Sequence, residues 1–230
     1  MTSREQAMTP PLPHITVPAK PAHWPADAAP HTWPWTELAP LPPFLLADGS
    51  GPAQQQTAAR LCHADGVLHV HFDCADRDIW GTYTRRDEPI YDEEAVELFI
   101  GAGAADPVDY FEFEVSPNGV LLDTTIHNPT SLRADMQADF AWDCPGIQWH
   151  AARDDTRQRW QAWLSVPLAS LVDGPLPSRW RANLYRIERP RDGAAEFSCW
   201  SPTLAVPADF HKPARFGFLD LGAASCPSAT

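Results

Sequence analysis

Apolar and polar residues alternate with a period of two through most of this sequence, and no other feature restricts its fold as strongly. In "VLHVHFDCAD", Leu68, Val70 and Phe72 interleave with His69, His71 and Asp73; in "YFEFEV", Phe111, Phe113 and Val115 interleave with Tyr110, Glu112 and Glu114. Successive side chains of a β-strand point to opposite faces, so each segment reads as a strand with one face in a core. "AVELFI" is apolar on both sides except at Glu97, as an inner strand would be. "GVLLDTTI", "GIQWHAA", "RWQAWLSVPL", "RWRANLYRIER" and "RFGFLDL" follow, separated by the turn-forming "SPNG", "DCPG", "RDDTRQ", "DGPLPS" and "PRDGA". Short strands joined in this way predict an all-β domain, an antiparallel β-sandwich of jelly-roll-like kind. Helical segments are expected only as short pieces, around "LASLV" and "SLRADMQADF".

Ahead of the alternating region, residues 1–30 are rich in Pro, Ala and polar residues with no hydrophobic period, which predicts an extended, weakly ordered, Pro-rich N-terminal arm. The sandwich is expected over residues 31–222, with Trp33, Trp35, Phe44 and Leu45 as its first large anchors, and residues 223–230 as a tail. Thirty acidic residues against 17 basic ones leave a net charge of −13, which repels phosphate backbones; no nucleic-acid partner is expected. The longest apolar runs fall far short of spanning a bilayer, so no membrane helix is expected either. No continuous apolar run follows the early Arg4, so no secretory leader is read and a cytoplasmic location is expected, or a secreted one if a leader precedes the chain. Cys62, Cys74, Cys144, Cys199 and Cys226 form no CxxC pair and are odd in number, which fits free thiols in a reducing compartment.

Carboxylates gather in "RRDEPIYDEEAVELFI" and again in "YFEFEV". Strand pairing could bring Glu97 beside Glu114, and two carboxylates about 5 to 9 Å apart across a sugar make a glycosidase. Asp87, Glu88, Asp92, Glu93 and Glu94 could hold a structural Ca²⁺, a hard cation that takes several oxygens, with Asp92, Glu93 and Glu94 as the nearest set. No EF-hand spacing is present, and a solvated acidic turn is the alternative. His69 and His71 share a strand face with Asp73, a spacing open to transition metals, although exposed strand histidines account for them as well. No nucleophile elbow, phosphate-binding loop or dinucleotide fingerprint occurs. Several aromatic residues lie in loops instead of core positions, among them Tyr91 and Phe210. Aromatic faces pack against the C–H faces of pyranose rings while nearby carboxylates, amides and Arg forks bind hydroxyls, a combination suited to a sugar.

Five segments, "DEPIYDEEAVELFI", "YFEFEVSPNGVLLD", "WRANLYRIER", "FSCWSPT" and "DFHKPARFGFLDL", occur in that order between Asp87 and Leu221, and the likeness they carry covers about Trp33 to Leu221. Together they resemble the carbohydrate-binding module family 9-like domains, which are similar to the DOMON-type β-sandwich group. The resemblance implies a sugar clamped between two aromatic side chains, matching Tyr91 and Phe210, with a ligand-bonding Glu matching Glu97. It places a ligand-bonding Arg of the family on Glu114 and a Gln on Tyr185, two positions beyond Asn183 in the same strand. Arg to Glu inverts the charge and removes a five-donor fork, which makes Arg186 or Arg189 the compensating donors.

The proline-broken stretch "EFSCWSPTLAVPADFHKPARFG" is expected to anchor itself through Trp200 and Phe216 and to hold Phe210 and His211 over the sandwich. The function so implied is non-catalytic binding of a mono- or oligosaccharide in carbohydrate catabolism, with no cofactor required and a glycoside hydrolase as partner. A glycoside-active hydrolase using Glu97 and Glu114, or an interaction domain whose sugar pocket is closed, remain the alternatives.

Overall fold

The structure, a computed structural model, describes residues 9–222. Its strands are β1 (His14–Val17), β2 (Leu45–Leu46), β3 (Thr57–Ala64), β4 (Val67–Ala75), β5 (Ala95–Ala102), β6 (Asp109–Val115), β7 (Leu121–His127), β8 (Gln137–Asp139), β9 (Gln148–Asp154), β10 (Arg159–Pro167), β11 (Arg179–Glu188), β12 (Glu196–Cys199) and β13 (Gly217–Leu221). They form two sheets packed as a sandwich. The larger runs β1-β13-β11-β5-β6-β7-β8, with β12 pairing β11 and β2; the smaller runs β3-β4-β10-β9. All pairings are antiparallel except β1 with β13. The two short segments expected to be helical contain only single 3-10 turns, Leu168–Leu171 and Arg133–Asp135, the second followed directly by β8.

The period-two pattern sorts side chains as expected. Leu68, Val70 and Phe72 of β4 meet Val96, Leu98 and Ile100 of β5 and Phe113 and Val115 of β6 in one buried cluster between the sheets. Removing this apolar surface from water is the main term favouring the fold, at about 25 cal/mol per Å². Asp65 and Gly66, both at positive φ, form the two-residue turn that joins β3 to β4, the geometry a tight hairpin prefers.

Both sheets are also covered on their outer faces, and here the structure departs from the sequence reading. His69 and His71 are buried, not exposed. Trp24, Trp33 and Trp35 fold back over the smaller sheet, and the His71 ring lies between the indoles of Trp35 and Trp163 at centroid distances of 5.3 and 5.2 Å. Burial pushes both imidazoles down to about 4, so they stay neutral. The arm assigned to residues 1–30 is integrated from His14 onward: β1 extends the larger sheet and Trp24 is part of this aromatic layer. The sandwich therefore begins before residue 31, while residues 1–8 and the tail 223–230 lie outside the described residues.

Trp200 and Phe216 are buried, as expected of anchors. The Trp200 ring lies so close to β13 that a Cβ added at Gly217 would stand 2.6 Å from it and 2.8 Å from the Pro13 carbonyl oxygen. Neither can retreat without moving a strand. Gly217→Ala is expected to lower the unfolding free energy by about 1–3 kcal/mol in urea titration. Gly51→Ala, where an added Cβ meets nothing within 4 Å, should stay within about 0.5 kcal/mol of the parent; equal effects would contradict the packing described.

Candidate functional site

Glu97 on β5 and Glu114 on β6 are directly opposite one another in the ladder. Glu112 lies two residues from Glu114, hence on the same face, turned away from the core between the sheets. One oxygen from each of the three lies within 4.8 Å of the others. They form the floor of a slot of about 390 Å³ on the outer face of the larger sheet. One wall comes from the segment after β7, with Arg133, Met136, Ala138 and the exposed Phe140; the other comes from the loop before β13, with Asp209, Phe210 and His211. Tyr91, half-buried, and Asp92, exposed, also line it, as do Arg189 and Phe197, with the Arg189 guanidinium 5.4 Å from the Phe197 ring centroid.

All three glutamates are buried. Burial first, then the charges of Glu97 and Glu112, hold Glu114 well above the usual carboxylate range; burial and Glu112 do the same to Glu97, and burial raises Glu112. His211 is pushed down to about 4, chiefly by burial, and so is neutral; its Nδ1 lies 2.9 Å from the Tyr110 hydroxyl and its Nε2 3.9 Å from Glu112. Arg133 approaches Asp209 at 3.6 Å, and Lys212 is held by the same carboxylate at 2.5 Å.

The residues expected from sequence divide into three groups. Tyr91, Glu97, Glu114, Phe210 and His211 line the slot. Phe210 presents little of itself, however: its ring lies flat on Tyr185, 4.2 Å between centroids and 17° between planes, and only 7% of the residue is exposed. Asn183 and Tyr185 are on the correct face of β11 but underneath the covering loop. The Tyr185 hydroxyl donates to the Phe210 carbonyl oxygen, and the Asn183 amide donates to the Ser201 carbonyl oxygen, so both are fasteners of that loop.

Arg186 is corrected outright. It is adjacent to Tyr185 in a strand and so points the opposite way, into the space between the sheets, where it pairs with buried Asp76 at 2.9 Å. Asp92, Glu93 and Glu94 do not converge on one metal. Asp92 faces the slot; Glu93 accepts from the Thr82 backbone N–H at 2.7 Å and from its hydroxyl; Glu94 points inward beside Asp76 and Glu188, where burial, then Asp76, push it up to about 9.

Glu112, Arg133 and Phe140 were missed. Glu112 carried a signal, since "YFEFEV" puts it on the face of Glu114; Arg133 and Phe140 sit in an irregular segment whose path only the folded chain reveals. A larger trough of about 1090 Å³ adjoins the slot at Phe197 and Ala208. Its lining mixes small residues such as Gly193, Ala194 and Ala195 with charged ones, among them Asp48, Arg77, Glu188 and Asp192; Asp78 and Arg191 are paired with each other at 2.9 Å, Glu196 accepts from the backbone of Gln54 and Gln55, and Phe197, shared with the slot, is the one aromatic residue among them.

A family model described as carbohydrate-binding family 9 matches residues 51–221, and the chain belongs to that family. A family 9 module from Caldicellulosiruptor kristjanssonii has the same fold in its complex with glucose (TM-score 0.62, 12% identity, 95% of this chain and 100% of that one) and in its complex with cellotriose (TM-score 0.59, 12% identity, 95% and 98%). A protein of Bacteroides uniformis ATCC 8492 shares it as well (TM-score 0.66, 16% identity, 81% and 88%). A curated relative from Arthroderma benhamiae (strain ATCC MYA-4681 / CBS 112371), named "Extracellular protein", is 34% identical over 139 residues, 57% of this chain and 63% of that protein's length. That relative overturns the cytoplasmic expectation. Cys62, Cys74, Cys144 and Cys199 are buried and form no disulfide with one another, and burial pushes each thiol up to about 12, so they are unreactive thiols whatever the compartment. Cys226 lies outside the described residues.

The sign of the glutamate shift gives a test. Unfolded, Glu114 titrates near 4.5; folded, it keeps its proton to higher pH. Over that window the native state binds more protons than the unfolded state, so stability falls as pH rises. Glu114→Gln removes the share of this loss that Glu114 contributes, and urea unfolding at about pH 5 and about pH 8 should show the parent losing more stability than the variant. Parallel pH profiles would contradict the buried, proton-holding carboxylate.

Proposed function

We infer that the chain binds a sugar ring in the slot above Glu97, Glu112 and Glu114, taking the end of a mono- or oligosaccharide without cleaving it. The observation that carries this reading is the pairing, in one cavity, of open aromatic surface at Phe140 and Tyr91 with a polar floor. A pyranose presents apolar C–H faces and a rim of hydroxyls, so it is bound by flat apolar walls and by groups that accept or donate hydrogen bonds in the ring plane. The volume falls within the range of roughly 300–1,000 Å³ common to small-molecule sites. Family membership supports the same reading, as do the glucose and cellotriose held by the Caldicellulosiruptor kristjanssonii module of like fold.

Arg133 and Arg189 are the donors to ligand hydroxyls, in place of Arg186. Hydrolysis fits the geometry less well. Two catalytic carboxylates stand about 5–5.5 Å apart in retaining enzymes or about 6.5–9.5 Å apart in inverting ones and flank the bond to be broken. Here Glu97 and Glu114 are side by side on one floor, with one oxygen of each within 4.8 Å of the other, and do not face one another across a cleft. In carbohydrate catabolism such a chain would act by holding a glycan near a partner glycoside hydrolase.

Titration calorimetry against a panel of neutral and charged mono- and oligosaccharides is expected to give saturable heat with at least one member. Phe140→Ala should weaken that binding by roughly 3- to 10-fold without loss of fold, because the residue is 46% exposed and is not part of the buried core. Silence across the panel would refute the reading.

A further inference from the structure

Three carboxylate triads occur among the described residues: Asp76 with Glu94 and Glu188, Asp87 with Asp123 and Asp143, and Glu97 with Glu112 and Glu114. The first two are each built around an arginine. Arg186 enters the first, pairing with Asp76 at 2.9 Å. Arg86 enters the second, at 2.7 Å from Asp123 and 2.8 Å from Asp143. The third has no such partner. Among the described residues no Lys or Arg forms an ion pair with Glu97, Glu112 or Glu114, and this is the triad that opens into the slot.

A second observation points the same way. Glu114 is 1% exposed, lines the cavity, and accepts from no N–H or hydroxyl group at either oxygen, its hydrogen-bonding neighbour being the carboxyl of Glu112. Buried polar atoms are nearly always satisfied, and an exception facing a cavity marks a place for a ligand atom. The groups around it do not supply the missing charge. The charge of Arg133 reaches Glu97 and Glu112 but is not among those acting on Glu114, and its side chain, 63% exposed, pairs with Asp209; His211 is neutral, Arg189 lies over Phe197, and Tyr91 and Asp92 add no cation.

We propose that the ligand of this slot is an amino sugar with a free, protonated amine, whose ammonium takes the position that an arginine holds in the other two triads. This rests on the sugar-binding reading above and specifies the class of sugar. An ammonium carries three N–H donors and one positive charge, and the floor offers three acceptors within 4.8 Å of one another. The ring attached to it then lies against Phe140 and Tyr91. A neutral hexose satisfies hydrogen bonds there but leaves the carboxylates to keep their protons. An N-acetylated sugar has neither the charge nor the three donors.

Binding of the ammonium lets the glutamates ionise, so protons leave the protein as the ligand enters. Calorimetry at about pH 6, below the usual range of amines, in two buffers of different ionisation enthalpy, compares glucosamine, glucose and N-acetylglucosamine. Glucosamine is expected to bind at least roughly tenfold more tightly than either neutral sugar and to be the only one that releases protons to the buffer. Glu114→Gln should narrow the ratio between glucosamine and glucose. If glucose binds as well as glucosamine, this inference falls and the sugar-binding reading stands. If no sugar in the wider panel binds, both fall. Saturable, Glu114-dependent heat with Ca²⁺ alone would assign the triad to a metal and overturn the inference as well.

Discussion

Glu97 and Glu114 face each other across antiparallel strands near the middle of a sheet that is covered on both sides, and the rest of the outer face is arranged around the cost of that position. Period-two alternation needs one face of a strand in the core; it does not require the other face to be dry. Here the segment after β7 and the loop before β13 close over the polar face as well, bringing Phe99, Tyr110, Tyr185, Phe210 and Phe216 into a second apolar cluster. Ionised carboxylates in such surroundings are unfavourable unless paired. The chain meets this by raising the range over which the three glutamates hold protons and by leaving a cavity above them. Cover and cavity come from the same two segments, so the site depends on the fold of the loop that fastens itself through Tyr185 and Asn183.

The strands were legible because a period of two is local, and so was the side to which each residue points. That is why Glu97 and Glu114 could be brought together before the ladder was seen, and why Glu112 could have been. The same rule, applied to "LYRI", turns Arg186 away from Tyr185, so the donor expected there in compensation for Glu114 stands where strand parity forbids one. What covers a face was not legible. Nothing in "VLHVHFDCAD" reports that Trp24, Trp33 and Trp35 return over His69 and His71, since those contacts join residues far apart in sequence. Phe140 and Arg133 became slot residues through the course of an irregular segment, for which no periodic signal exists.

Tyr91 and Phe210 show the limit of position-by-position correspondence. Both fall at the slot, but Phe210 gives its flat face to Tyr185 and leaves the most open aromatic surface to Phe140. The slot these two residues line takes its character from this chain's own side chains, acidic beneath and aromatic at the side. The free thiols make a related point about burial. Four cysteines are enclosed in the fold without a disulfide among them, which is compatible with a relative named for an extracellular location.

The most direct measurement is a crystal structure of the chain soaked with glucosamine. The account predicts a sugar ring against Phe140, with its amine among the oxygens of Glu97, Glu112 and Glu114. A sugar ordered only in the adjoining trough near Asp78 and Arg191, with the slot holding water, would contradict it.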